Sequence, residues 1–130
     1  MKCSLTRINS ANDETSGVWV AIEYVAEDRR RHALFIVGGE RTDVPPTRGS
    51  PFPIYFERDD QSLSCYEGVD RIFVGKNSIR LTLNKNGRNS LELPKMVEFH
   101  TEKPGRPYAK AKLVFREIKS RKSGEVITIV

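Results

Sequence analysis

Long apolar runs are absent from this sequence, and few of its residues are of the kind that builds metal or disulfide sites. No run approaches the roughly 18 apolar residues of a membrane-spanning helix, and residues 1–7 lack the apolar block of a secretory signal. The two cysteines, Cys3 and Cys65, have no histidine or second cysteine at the spacing of a zinc site. We therefore expect reduced thiols in a cytoplasmic protein that uses no metal or cofactor and contacts no membrane.

Enzyme motifs are missing as well. The sequence has no nucleophile elbow, phosphate-binding loop, zinc-protease signature or dinucleotide-binding glycine pattern. His32, Glu57 and Glu98 are the candidates for an acid–base site, and Glu98 would share a sheet face with His100, two positions further on. Nothing in the spacing of these residues requires a catalytic site, so we predict that the chain is not an enzyme.

The 130 residues suit a single domain, and their charge is divided unequally along the chain. Residues 1–64 carry 8 basic and 10 acidic side chains, whereas residues 65–130 carry 14 basic and 7 acidic ones. The segment 103–122 holds eight basic residues against one acid, Glu117. Such a segment is typical of a solvated surface or of a site for nucleic acid or an acidic protein.

Short runs of β-branched and aromatic residues predict a sheet. The first three, 2–8, 18–25 and 32–37, follow one another at the spacing of an antiparallel meander. Two later runs flank a glycine turn and predict a hairpin, and further short strands are expected around it. The later predicted strands are 54–57, Val69–Val74, Ser78–Leu83 and 96–101, with turns at 75–77 and 84–90, a short extended piece at 91–93 and a long proline-rich loop at 40–53.

The segment 107–119 fits two structures. Apolar residues recur there at helical spacing, but they also alternate almost as well as those of a strand that would form a hairpin with 125–130. We expect residues 1–119 to form a single β-rich domain and residues 120–130 to be a C-terminal extension or an extra strand. The expected core is Trp19, Ile22, Leu34, Ile36, Ile72, Val74, Leu81, Leu83 and Phe115.

An acidic cluster beside aromatic residues is the best candidate for a binding surface. Glu57, Asp59 and Asp60 lie between the aromatic pair at 55–56 and Tyr66. Aromatic residues next to charges at loop edges resemble the hot regions of protein interfaces. We therefore predict that Glu57, Asp59, Asp60 and Tyr66 contact a protein partner. The alternative is that Asp59 and Asp60 only build a turn through side-chain hydrogen bonds to the backbone.

This part of the sequence also resembles a known family. The letters YFERDDQSLSCYEGV at 55–69, followed by IFV at 72–74 and IRLTL at 79–83, are similar to the tenth-numbered immunity family of bacterial polymorphic-toxin systems. Members run from a strand through an aspartate–glutamine turn and a tyrosine–glycine step into a hairpin. The family ends in a strand and an amphipathic helix, so the resemblance implies that 107–119 is helical.

Two functions follow as expectations. The resemblance implies a cytoplasmic immunity-type protein that neutralises a cognate protein toxin domain by stoichiometric association. The alternative is a basic nucleic-acid-associated accessory protein, with weak binding through the segment 103–122. With the resemblance included, the expected fold is α+β, a mostly antiparallel β sheet of about six or seven strands with one C-terminal helix.

Overall fold

The computed structural model describes most of the chain. The proline-rich loop predicted at 40–53 lies outside the described residues, except for Pro53. The described residues are 1–13, 15, 17–39, 53–121 and 123–130.

One sheet organises the described residues, with two helices beside it. Its strand order is β5-β4-β3-β2-β1-β8-β7-β6-β9, and a short 3-10 turn precedes the last strand. The strands are β1 (Lys2–Asp13), β2 (Gly17–Val25), β3 (Arg31–Val37), β4 (Tyr55–Arg58), β5 (Ser64–Tyr66), β6 (Val69–Val74), β7 (Ser78–Leu83), β8 (Met96–His100) and β9 (Ile127–Ile129), and the helices are α1 (Lys85–Leu91) and α2 (Gly105–Lys119).

The β-rich architecture is confirmed, including the antiparallel meander β1–β2–β3 and the β6–β7 hairpin. The segment predicted as helix or strand is the helix α2. Its apolar positions 108, 111, 114, 115 and 118 are all buried, as the helical period requires. Within the C-terminal segment 120–130, β9 pairs in parallel with β6 and joins the sheet.

Two details of the predicted fold are wrong. Among the described residues the sheet has nine strands rather than six or seven. Most of its strand pairs are antiparallel, as predicted, but β1 pairs in parallel with β8 and β9 with β6. The predicted turn at 84–90 and the first residue of the extended piece at 91–93 form a second helix, α1. The Asn84 side chain caps α1 by accepting a hydrogen bond from the amide of Gly87 at 2.9 Å. Leu91 then anchors the helix in the core.

Both helices contribute to a single core on one face of the sheet. Eight of the nine expected core residues are buried there. Trp19 is the exception: it lies only partly buried on the opposite face, because the alternation of β2 gives the core positions to Val18, Val20, Ile22 and Tyr24. No helix among the described residues is long and apolar enough to cross a membrane.

Candidate functional site

The sheet face opposite the helices carries a continuous group of apolar and aromatic side chains, which we call the aromatic face. Pairing registers connect them across four strands: Trp19 faces Val37, Val37 faces Tyr55, and Tyr55 faces Tyr66. Phe35 lies two residues before Val37 on β3, so its side chain is on the same side of the sheet. No helix in the described part of the chain contributes to this face. The aromatic face therefore consists of Trp19, Phe35, Val37, Tyr55 and Tyr66.

Ring contacts hold this face in place. The ring centroids of Trp19 and Phe35 are 5.3 Å apart, and those of Tyr55 and Tyr66 are 5.1 Å apart. Tyr66 is 48% exposed, which makes it one of the large hydrophobic residues that remain open to solvent. Because rings that already pack together lose little freedom on binding, the face has the properties of a preorganised interface.

Glu57 places a negative charge within this apolar surface. Its strand position pairs with Phe35, and its carboxylate accepts a hydrogen bond of 2.9 Å from the hydroxyl of Tyr55. Of the four predicted partner-binding residues, Glu57 and Tyr66 thus lie on the aromatic face. A carboxylate in such a place can accept a hydrogen bond or attract a cation.

Asp60, by contrast, is engaged in the turn between β4 and β5. Its Oδ1 accepts a hydrogen bond from the Ser62 amide at 2.8 Å and another from the Ser62 hydroxyl. These two bonds, the hydroxyl first, lower the pKa of the Asp60 carboxyl. Hydrogen bonds of this kind are expected if Asp60 only builds a turn and does not contact a partner.

Asp59 ties the same turn to β3. Its backbone adopts φ 63°, a left-handed conformation that aspartate tolerates better than most residues. One carboxylate oxygen accepts a hydrogen bond from the Ala33 amide at 2.9 Å, and the other lies 2.8 Å from Nδ1 of His32. Asp59 therefore connects the β4–β5 turn to the start of β3, beyond the end of the aromatic face.

His32 lies between two carboxylates. Its Nδ1 contacts Asp59, and its Nε2 lies 2.9 Å from Oδ2 of Asp28, while the ring stacks on Tyr24 with centroids 5.4 Å apart. The hydrogen bonds to Asp59 and then Asp28 raise the pKa of His32 above its ordinary value. Since ionised carboxylates only accept, the ring can donate to both aspartates only in its imidazolium form, which the raised pKa favours.

The candidate acid–base residues are not brought together. His32 is on β3, whereas Glu98 and His100 are on β8, with β2 and β1 between these strands. Glu57 is on β4 and is bonded to Tyr55. Among the residues described, no group of three or more histidine, cysteine, aspartate and glutamate side chains could hold a metal ion.

Arg58 is a structural residue that the sequence reading missed. Its Nε donates to the hydroxyl of Tyr24 at 3.2 Å, and Nη1 donates to the carbonyls of Leu91 at 3.1 Å and Glu92 at 3.2 Å. It thereby joins β4 to the end of α1. The available signal was strand alternation, which gives Arg58 the same face as the buried Phe56.

A mainly apolar cleft opens at one end of the aromatic face. The described residues enclose about 420 Å³ there. Gly39 and Pro53, the described residues on either side of the segment 40–52, both line this cleft together with Tyr55 and Tyr66. Arg121 closes it from the helix side and is fixed by a 3.1 Å bond from Nη1 to the carbonyl of Gly39.

The outer side of α2 is a second candidate surface, and it is charged. Arg106, Lys110, Arg116 and Lys119 are exposed there, around Leu113, which is 65% exposed. The one acid of the helix, Glu117, pairs with Arg121 at 3.2 Å. The surface is therefore basic, and it lies on the other side of the sheet from the aromatic face.

Comparisons with known proteins identify no relative. No family model, no curated protein and no solved structure matches the chain.

Proposed function

We propose that this chain is an immunity-type binding protein that neutralises a cognate protein toxin domain by stoichiometric association through the aromatic face. The observation that carries the proposal is the row of paired aromatic side chains on the sheet face that the described helices leave uncovered. Tyr66 is exposed, and the rest of the aromatic face is partly exposed. Apolar patches that are open to solvent often mark protein-interaction sites. The resemblance of residues 55–83 to the immunity family supports the same function.

The chemistry of the face suits a protein partner better than a nucleic acid. Aromatic rings held by their neighbours provide large contact area at low entropic cost. A nucleic-acid platform would combine such rings with basic side chains, whereas here Glu57 lies beside Tyr55 and Phe35. The turn held by Asp59 and Asp60 keeps β4 and β5 in register, so these aspartates support the surface from its edge.

Co-expression with a candidate toxin domain, sought among the products of neighbouring genes, tests the proposal. A host that expresses the toxin domain alone should stop growing, and this chain should restore growth and co-purify with the toxin at a one-to-one ratio. Tyr66→Ala should lose the rescue because it removes the most exposed ring of the face. Leu113→Ala removes an exposed apolar side chain from α2 and serves as the matched control. A neighbouring domain that is harmless, or toxicity that this chain leaves unchanged, would contradict the proposal.

The basic side of α2 supports the second candidate, a nucleic-acid-associated accessory protein. Its exposed cations could contact phosphates, and such binding would weaken steeply with salt. We expect this binding to be weak and non-specific, because the neighbouring aromatic residues Tyr108 and Phe115 are buried and unable to stack on bases. Tight binding to RNA or DNA at physiological salt would favour the accessory function instead.

A further inference from the structure

Ser10 on β1 is a buried polar residue whose hydroxyl has no hydrogen-bond partner. The residue is 8% exposed and lies among apolar core residues. Its Oγ finds no donor or acceptor within the described part of the chain. Most buried polar groups in folded proteins are paired, because leaving one unpaired costs stability. A buried hydroxyl of this kind therefore indicates a position at which an ion, a water molecule or a ligand group binds.

The side chain of Ser10 points toward α2. Ile8 and Ser10 are two residues apart and both buried, so they share the face of β1 against which α2 packs. A groove of about 360 Å³ lies between this part of β1 and the first turns of the helix. The described residues that line it are Ile8, Asn9, Ser10, Arg106, Pro107 and Lys110. The unpaired hydroxyl therefore belongs to the strand wall of a groove whose other wall is the start of a helix.

The helix wall of this groove is positively charged. Arg106 and Lys110 are four residues apart, so they lie on the same side of α2, and both are exposed. Within the described chain neither cation forms an ion pair, and no acidic residue lines the groove. The first turn of α2 contains no acidic residue, and no side chain caps it. The amides at this end of the helix therefore add to the positive potential of the two side chains.

We propose that this groove binds a small phosphate-bearing ligand, either inorganic phosphate or a phosphomonoester. A phosphate group has enough acceptor oxygens to bond the hydroxyl of Ser10 on one wall and the cations Arg106 and Lys110 on the other. Hydrogen bonds from charged donors to phosphate are stronger than those between neutral groups. The groove lies on the helix side of the sheet, away from the aromatic face, so this proposal is independent of the toxin.

The burial of Ser10 favours a small ligand over a nucleic acid. Because Ser10 is almost fully buried, a phosphate has to enter the groove to reach its hydroxyl. A free phosphate or a terminal phosphate group can do so with at least one side unsubstituted. A phosphodiester of a nucleic-acid backbone carries the chain on both sides, so it would contact the exposed cations and leave the serine unpaired.

Titration of the whole isotope-labelled chain with inorganic phosphate tests the proposal. Binding is followed by the chemical shifts of backbone amides, with sodium chloride at the same ionic strength as the reference. We expect saturable shifts at residues 8–10 and 105–110, with a dissociation constant below about 1 mM. A nucleoside monophosphate tests the phosphomonoester, and a single-stranded oligonucleotide without terminal phosphates tests the phosphodiester. The oligonucleotide should cause no saturable shift at residues 8–10.

Ser10→Ala tests the role of the hydroxyl directly. The change should weaken the binding of inorganic phosphate by at least about tenfold, since it removes a hydrogen bond to a charged group. It should not lower the melting temperature in phosphate-free buffer, because the hydroxyl that it removes is unpaired there. Ser4→Ala makes the same replacement at an exposed position of β1 and should keep the wild-type affinity.

Two pairs of charge variants test the helix wall. Arg106→Gln with Lys110→Gln removes both cations of the groove and should weaken phosphate binding by at least about tenfold. Arg116→Gln with Lys119→Gln removes two exposed cations near the other end of α2 and should preserve most of the affinity.

Four results would overturn the proposal. Shifts that sodium chloride reproduces would show an ionic-strength effect without a site. Wild-type phosphate binding in Ser10→Ala would show that the hydroxyl is not a ligand, and equal losses in the two pairs of charge variants would show attraction to the helix as a whole. Saturable shifts at residues 8–10 with the oligonucleotide alone would assign the groove to a nucleic acid.

Discussion

The position of His32 between two carboxylates predicts a stability that depends on pH. The ring is 11% exposed and contacts Asp59 at 2.8 Å and Asp28 at 2.9 Å. His32→Phe keeps an aromatic ring to stack on Tyr24 but removes both N–H donors. The variant therefore deletes the charged hydrogen bonds and leaves most of the packing in place.

The size and direction of the effect follow from this geometry. A hydrogen bond to a charged group contributes about 1.5–3 kcal/mol, but Asp59 is 35% exposed and Asp28 is 46% exposed. After allowing for solvent screening, we expect the Asp59 contact to contribute about 1 kcal/mol, and the more exposed Asp28 to contribute less. The pKa of His32 is raised above its ordinary value of 6.5. Its stabilising effect is thus complete below about pH 6.5 and is lost as the pH rises through the folded-state pKa.

Urea unfolding of both proteins between about pH 5.5 and 9 measures this effect. The free energy of unfolding of His32→Phe should fall below that of the wild type by about 1 kcal/mol at the acidic end, and the deficit should shrink toward the alkaline end. His100→Phe makes the same replacement at the exposed histidine of β8, away from both aspartates, and is the matched control. A deficit that is constant across this range would refute the assignment of His32 as an imidazolium between two carboxylates.

Three further predictions concern the packed interior. Leu81→Ala should lower the free energy of unfolding, measured in urea, by about 2–5 kcal/mol, because Leu81 is fully buried. A decrease of less than about 0.5 kcal/mol would mean that Leu81 is not in the core. Gly87→Ala should lower the free energy of unfolding by more than about 1 kcal/mol, since its Cβ would overlap the carbonyl oxygen of Gly68 in the β5–β6 turn. Asn89→Ala, on the exposed side of α1, should change it little. Cys3 and Cys65 should react slowly with a thiol reagent at about pH 8 until denaturant is added. Both thiols are buried, and burial raises the pKa of Cys3 to about 11 and also raises the pKa of Cys65. Fast reaction of both thiols in the native protein would contradict their burial.

The β6–β7 hairpin shows what local pattern can predict. Ile79, Leu81 and Leu83 alternate with polar residues beyond a glycine turn, and both strands begin and end where that pattern indicates. The position of α1 was not predictable in the same way. Its sequence is rich in asparagine, glycine and serine, which favour turns. The helix depends on the close approach of Gly87 to Gly68, a contact between segments distant in sequence.

The local sequence pattern also could not predict which strands pair in parallel. A strand has the same period whether its neighbour is parallel or antiparallel, so the insertion of β1 beside β8 depends on the global arrangement of the sheet.

The candidate site was only partly visible in the sequence. Tyr66 and Glu57 stood out because they are near one another along the chain, and the sheet places them on one face. Trp19 and Phe35 belong to that face through strand register alone. The run around Trp19 is apolar at almost every position, so alternation did not reveal which side chains point away from the core.

The affinity of the purified chain for the toxin domain that we propose as its partner tests the central claim most directly. Tyr66→Ala should raise the dissociation constant by about 30-fold, which corresponds to about 2 kcal/mol, and should leave the melting temperature almost unchanged. Asp60→Asn should lower the melting temperature with little effect on affinity, because Asp60 holds the β4–β5 turn. Wild-type affinity in Tyr66→Ala, together with weakened binding in Leu113→Ala, would contradict the account and place the toxin on α2.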